Sequence, residues 1–212
     1  MRSRLPKVLH AVGGRSLVGH AVRAARSVDP QHLAVVVGHG REQVGPAITA
    51  VDADVTLAVQ DEQRGTGHAV QIALQTLPEL HGTVLVTYGD VPLLEQQTLR
   101  DLVRRHDEDG NGVTVLTAEL DDPTGYGRIV RAADGTVAGI VEHKDATSAQ
   151  RGITEINSGI YAFDAEVLAD GLSRVKTDNV QGELYLTDVV AIARSDGRRA
   201  GAMQTADPWQ TE

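Results

Sequence analysis

Apolar positions along this chain fall into two recurring spacings. Short β-branched runs, Leu33-Ala34-Val35-Val36-Val37, residues 55–59 and Thr83-Val84-Leu85-Val86, read as strands, and the stretches between them carry apolar residues at the three-and-four spacing of helices. Residues 1–14 read as a basic loop. The first helix is predicted to be capped by Ser16, with Leu17, Val18, Ala21, Val22 and Ala25 on one face. The second, over 42–50, is weakened by Pro46, and a third follows His68 and runs through Leu77 to Pro78. Strand, helix, strand, helix, strand is the alternation of a doubly wound sheet. Residues 84–86 are apolar on both faces, which predicts an interior strand covered by helices.

The second half changes character. A helix over 95–106 leads to a strand at 113–118, then to hairpin-like material: 128–131, a turn at Asp134-Gly135, and 137–141, predicted to pair antiparallel. Residues 142–155 are polar and read as a mobile loop. The run Ile156-Asn157-Ser158-Gly159-Ile160-Tyr161-Ala162-Phe163 returns to the sheet, and helices over 165–172 and 186–195, a short strand and a polar tail follow. No repeat, linker or low-complexity stretch divides the chain. The predicted class is α/β, a Rossmann-like mixed sheet in one domain over 1–212.

Composition narrows the function. A hydrophobic content of 41% with 23% charged residues is that of a globular protein. The net charge of −9 argues against a nucleic-acid surface, which needs clustered Lys and Arg. The absence of cysteine removes thiolate nucleophiles and cysteine-held zinc. No segment approaches the ~20 apolar residues of a membrane span, and Met1-Arg2-Ser3-Arg4 leads into no apolar signal core, so a cytoplasmic location is expected.

Candidate chemistry begins at Asp90, where the apolar run stops. An acidic residue beyond the carboxyl end of a strand is placed to hold a hard cation, though an Asp before Val91-Pro92 serves equally as a turn acceptor. Gly89 permits close backbone approach to a ligand. Lys7 is one of only three lysines, with Lys144 and Lys176, and reads either as solubilising charge or as a phosphate contact. Gly65-Thr66-Gly67 precedes a helix whose free N–H groups favour anions, with Thr66 able to cap it, although many βα turns need such residues simply for geometry. Gly125-Tyr126-Gly127-Arg128 reads first as a turn. The eight histidines show no zinc-helix spacing.

Taken in order, Leu5-Pro6-Lys7-Val8-Leu9-His10, Gln60 with Gly65-Thr66-Gly67-His68-Ala69, Tyr88-Gly89-Asp90-Val91-Pro92-Leu93, Gly125-Tyr126-Gly127-Arg128-Ile129, Ile140-Val141-Glu142, Glu155-Ile156-Asn157-Ser158-Gly159 and Glu183-Leu184-Tyr185-Leu186-Thr187-Asp188 closely resemble one family. It is the uridylyltransferase domain of the bacterial bifunctional N-acetylglucosamine-1-phosphate uridyltransferase and glucosamine-1-phosphate acetyltransferase. The resemblance implies transfer of a uridylyl group from UTP to N-acetylglucosamine-1-phosphate, giving UDP-N-acetylglucosamine and pyrophosphate for cell-wall precursor synthesis. It implies that Gln60, Gly65 and Thr66 meet the uracil and ribose, that Tyr88, Gly89 and Asp90 line the ribose and metal site, and that Lys7 meets the phosphates. Gly127, Glu142 and Asn157 would hold the N-acetylglucosamine, Tyr185 and Thr187 would lie near the sugar and its phosphate, and Asp90 would ligate Mg2+. Lys7 and Asp90 are the implied catalytic pair. The alternatives are a nucleotidylyltransferase for another sugar-1-phosphate, such as glucose-1-phosphate, and a non-catalytic nucleotide-sugar binding module.

Departures from the family pattern set further expectations. The family's first strand and glycine-rich nucleotide loop precede the lysine loop, and of these at most Met1 is kept. A second metal ligand, an asparagine, follows the point matching Glu212, and beyond it lies a left-handed β-helix that carries the acetyltransferase and assembles a homotrimer. The expectation is a domain truncated at both ends, with a slot in the sheet between residues 33–37 and 84–87.

Overall fold

The computed structural model describes residues 5–211; residues 1–4, with the basic run noted above, and Glu212 lie outside the described residues. The predicted N-terminal loop contains a 3-10 turn at Lys7–Leu9 and a small antiparallel hairpin of β1 (Ala11–Val12) and β2 (Arg15–Ser16). Helix α1 (Leu17–Arg26) starts where its cap predicts, the Ser16 side chain accepting from the Gly19 N–H. Then come β3 (Ala34–Val37), α2 (Arg41–Val51) with Pro46 in its second turn, β4 (Thr56–Val59), α3 (Thr66–Thr76) and β5 (Thr83–Val86).

The remaining elements are α4 (Gln96–Asp109), β6 (Val113–Glu119), β7 (Arg128–Arg131), β8 (Val137–Val141), α5 (Ser148–Arg151), β9 (Glu155–Asp164), α6 (Ala165–Arg174), α7 (Asp188–Ser195) and β10 (Ala200–Gln204). The polar stretch 142–155, expected to be a loop, holds one turn of helix because Thr147 and Gln150 form a reciprocal capping box. β9 is the centre of the main sheet. One edge pairs antiparallel with β6, and the other is shared between β5 and β7. Beyond β6 lies β10 in parallel, and β7 continues into β8 through the predicted hairpin. Alternation along β9 serves both faces of the sheet. Tyr161 and Phe163 join Leu168, Leu172, Val189 and Val190 of α6 and α7, while Ile160 and Ala162 meet Leu99 and Leu102 of α4.

β3 and β4 pair in parallel as a separate two-stranded sheet, and α1 and α2 cover it with Val18, Val22, Val44 and Ile48. Among the described residues no strand joins β3 to β5. A cavity of about 650 Å³ separates them, lined by Ala34, Val35, Val36, Val84, Leu85 and Val86 among others. The cavity runs along the four residues of β5 and along residues 34–36 of β3. Leu33 and Val37 carbonyls face β4, so the backbone groups of Ala34 and Val36 turn toward the cavity. The expected slot is present, and it makes β5 an edge strand rather than the interior strand its apolar run predicts.

One core contact ties the fold to pH. His106, 3% exposed, places Nδ1 3.0 Å from the Thr114 hydroxyl, which already accepts from Asn111 Nδ2 at 2.9 Å. The hydroxyl keeps its own hydrogen free to donate to Nδ1, an arrangement that suits a neutral ring. Burial lowers the His106 pKa from its ordinary value near 6.5. The unfolded chain then takes up the proton first, so the stability owed to a neutral His106 is full above about pH 6.5 and falls as pH drops toward the lowered value. Thermal melts from pH 7.5 to 5.5 should show a loss of at most about 1.4 kcal/mol per pH unit from this group. The loss should flatten in His106→Gln, and an unchanged slope in that variant would assign the acid lability elsewhere.

Candidate active site

The candidate residues come from seven segments of the chain. The turn at Lys7–Leu9, after Pro6, brings Lys7 Nζ within 2.7 Å of Asp90 Oδ2, just beyond the end of β5. Both are accessible, the Lys7 side chain 65% and the Asp90 side chain 32% exposed, so the pair is a surface ion pair rather than a structural one. Together they border a pocket of about 310 Å³ that Tyr88, Gly127, Glu142 and Asn157 also line. An added Cβ at Gly89 would meet only Val18, at 3.8 Å, so the protein itself does not require glycine there.

A bulge in β9 shapes the wall opposite Lys7. Val115 pairs with Tyr161 and Thr117 with Asn157, so one residue of β6 faces three of β9, residues 158–160. The extra backbone is satisfied by neighbouring side chains. Asn157 Oδ1 accepts from the Gly159 N–H at 3.0 Å, and Ser158 Oγ donates to the Leu116 carbonyl at 2.6 Å and accepts from the Ile160 N–H at 3.2 Å. Gly159 has φ +79, and a Cβ there would lie 1.9 Å from a ring carbon of Tyr88. The Tyr88 ring is thus seated on bare backbone. Tyr88 is 43% exposed as a residue, yet burial of its ring raises its pKa, with Glu142 and Asp90 adding to the shift.

Glu142 stands at the end of β8 and accepts a hydrogen bond from Thr187 Oγ1 at 3.3 Å. Burial raises its pKa against that bond, and Asp145 and Asp188 raise it further. Gly127 lies between the two polar walls, its Cβ position 3.5 Å from both Glu142 Oε1 and Asn157 Cβ. A carboxyl and a carboxamide facing each other across a glycine can take several hydrogen bonds from hydroxyls and amides.

The Gly65-Thr66-Gly67 turn behaves differently from its sequence reading. The Leu184 carbonyl accepts from the Gly67 N–H at 2.8 Å, so this donor at the start of α3 is taken by protein. Thr66 does not cap the helix; its hydroxyl accepts from the Leu186 N–H at 3.1 Å. Gly65, at φ +105, is required because a Cβ would sit 2.6 Å from the Leu184 carbonyl. Tyr185 and Thr187, both buried, follow on this docked segment, and the Tyr185 hydroxyl accepts from Gln181 Nε2. Neither borders the smaller pocket, which Thr187 reaches only through Glu142. Gln60, Thr66, Tyr88 and Gly89 also line the slot cavity, and Tyr88 borders both spaces. The sequence reading brought Ser158 and Gly159 in only as part of a motif and passed over Thr211, which also borders the smaller pocket.

A family model, that of the nucleotidyl transferases, matches residues 2–210. The chain belongs to the nucleotidyl transferase family. Bifunctional protein GlmU of Paenarthrobacter aurescens strain TC1 is 58% identical over 215 residues, an alignment that takes in 100% of this chain and 43% of that protein. The Corynebacterium aurimucosum protein of the same name is 57% identical over 212 residues, covering 98% of this chain and 44% of its own length. The chain thus spans less than half the length of these relatives. A UDP-glucose pyrophosphorylase solved with UDP-glucose superposes with a TM-score of 0.73 at 16% identity, over 94% of this chain and 82% of that one, which shows a shared mixed α/β fold. Among the described residues no helix is long and apolar enough to cross a membrane.

Proposed function

We propose that this nucleotidyl transferase moves a uridylyl group from UTP to N-acetylglucosamine-1-phosphate, giving UDP-N-acetylglucosamine and pyrophosphate in the cytoplasm for cell-wall precursor synthesis. The observation that carries the reading is that Lys7 and Asp90 line one pocket with Glu142, Asn157 and Gly127, groups suited to phosphate and groups suited to a sugar in one space. Support comes from identity of 58% along the whole chain to relatives named for the bifunctional protein.

No general base is needed. The sugar phosphate is ionised at neutral pH, and its oxygen attacks the α-phosphorus of UTP as the bond to the pyrophosphate oxygen breaks; the protein's task is in-line positioning and relief of crowded negative charge. Lys7 supplies a mobile point charge to the phosphates. Glu142 and Asn157 hold hydroxyl and acetamide groups of the sugar, and Gln60 with the backbone at Gly65 meets the base. Asp90 is the residue that would hold Mg2+. The donor set fits: the carboxylate is open enough for the Lys7 ammonium to rest on it at 2.7 Å. Among the described residues no cluster of three His, Asp or Glu could hold a metal, and magnesium in nucleotide sites keeps waters and phosphate oxygens beside one or two carboxylates. When bound it would neutralise phosphate charge.

The test is kinetic. Glu142→Ala and Asn157→Ala should raise KM for N-acetylglucosamine-1-phosphate by roughly fivefold to a hundredfold, from ~1–3 kcal/mol per lost buried partner, with a smaller change for UTP. Pyrophosphate release measured against each substrate separates the two. An unchanged sugar KM in both variants overturns the assignment of this wall to the sugar.

A further inference from the structure

The geometry points to His68 as the positioning residue that sets which nucleobase this site accepts, by locking one orientation of the Gln60 side-chain amide. The inference rests on the nucleotide reading given above and deepens it. Gln60 is the first residue after β4, anchored by its own N–H to the Val37 carbonyl at 2.9 Å and only 9% exposed. Its amide nitrogen has two neighbours, the Gly65 carbonyl at 3.5 Å and His68 Nδ1 at 3.0 Å.

With Nε2 of Gln60 turned toward the Gly65 carbonyl, which can only accept, His68 Nδ1 accepts the other amide hydrogen when its ring carries the proton on Nε2, and this is the tautomer proposed for His68. In that arrangement both hydrogens of the Gln60 amide are engaged, and Oε1 is left with no protein partner among the described residues, on a side chain that lines the cavity together with Tyr88 and Thr66. The site thus offers a base an acceptor without an adjacent donor from the same amide.

An acceptor selects an N–H. Uracil presents one at N3, whereas cytosine has an unprotonated N3 that is itself an acceptor and repels Oε1. Thymine shares the uracil N3–H, so this contact separates uracil and thymine from cytosine and does not separate them from each other. Without Nδ1 the only restraint on the amide is the Gly65 carbonyl at 3.5 Å, the long limit of a hydrogen bond. The amide can then turn over and present Nε2 to cytosine as readily as it presents Oε1 to uracil. His68 sits on the first turn of α3, whose N-terminus is held by the Leu184 and Leu186 backbone, so its own backbone is positioned by elements away from the base.

The test is binding of UTP and of CTP, each followed by titration calorimetry, for the wild-type chain, His68→Leu and His68→Asn. Leu removes the acceptor at similar bulk; Asn restores an acceptor oxygen near the position of Nδ1. The wild type should prefer UTP, and His68→Leu should lose that preference by on the order of tenfold, through weaker UTP and stronger CTP binding. His68→Asn should recover most of it. Equal weakening of both nucleotides in His68→Leu, or a preference unchanged from the wild type, overturns the inference and leaves His68 a packing residue. A wild type that binds neither nucleotide, or binds CTP as well as UTP, instead removes the placement of the base at Gln60 and the inference with it.

Discussion

Asp90→Asn is expected to lower nucleotidyl transfer on the order of 10²-fold or more while leaving the melting temperature nearly where it was. The two halves of that expectation have separate origins. Asp90 contributes to the fold only through its pair with Lys7, and an exposed ion pair is worth about 0–1 kcal/mol. For a chain of 212 residues that is a shift of no more than about 4 °C. At the site, the same change removes a formal charge from the carboxylate that would hold the divalent cation, and electrostatic stabilisation of a phosphoryl transfer is commonly worth several kcal/mol. The measurements are pyrophosphate release and UTP affinity with and without Mg2+. A wild-type rate at limiting Mg2+, or UTP binding whose Mg2+ dependence is untouched, would show that Asp90 holds no metal.

Gly159→Ala carries the other large effect. At φ +79 an alanine is strained by about 1–2 kcal/mol, and its methyl group would lie 1.9 Å from a Tyr88 ring carbon, a contact relieved only by moving the ring. Overpacking of this kind adds ~1–3 kcal/mol, so the combined loss is about 2–5 kcal/mol, or roughly 5–15 °C in melting temperature. Tyr88 is displaced from both spaces it borders, and substrate affinity should fall with it. The double variant Tyr88→Ala with Gly159→Ala separates the causes. It should recover the overpacking part relative to Gly159→Ala measured against Tyr88→Ala, and keep the backbone part. Purely additive losses would mean that the ring and the glycine are not coupled.

Much of the fold was legible because its signals are local. The β-branched runs, the Ser16 cap, the stop at Pro78 and the Asp134-Gly135 hairpin each act within a few residues, and each element lies within a few residues of its predicted bounds. The Thr66 cap at the 65–67 turn was misread for the opposite reason. Its glycines answer to the Leu184 carbonyl, more than a hundred residues away, and a loop that will be docked looks the same in sequence as one left open for an anion. The bulge in β9 was hidden by its own repair. Asn157 and Ser158 satisfy the irregular backbone with their side chains, so the run from Ile156 to Phe163 scans as one uninterrupted strand. A glycine after Asn-Ser within such a run is the one signal that marks a bulge. The structure gathers Lys7, Tyr88, Asp90, Gly127, Glu142 and Asn157 around a single pocket, and of these Tyr88, Asp90 and Glu142 follow strands whose ends the sequence predicts.

On the function proposed above, substrate binding and the packing of the two sheets against each other are linked. Gln60 belongs to the β3–β4 sheet and Asp90, Glu142 and Asn157 to the six-stranded one, and among the described residues no strand pairing crosses between them. What joins the two bodies on the ligand side is the docked 183–187 segment and side-chain packing. On that proposal a nucleotide sugar that met Gln60 at its base and Glu142 and Asn157 at its sugar would fasten the two sheets together across the seam. Anything that binds only the closed arrangement adds RT ln(1 + [L]/Kd) to its free energy, about 2.7 kcal/mol at a hundredfold excess over Kd. Fragments of the ligand that reach only one side of the seam would lack this leverage, however well they fill their half.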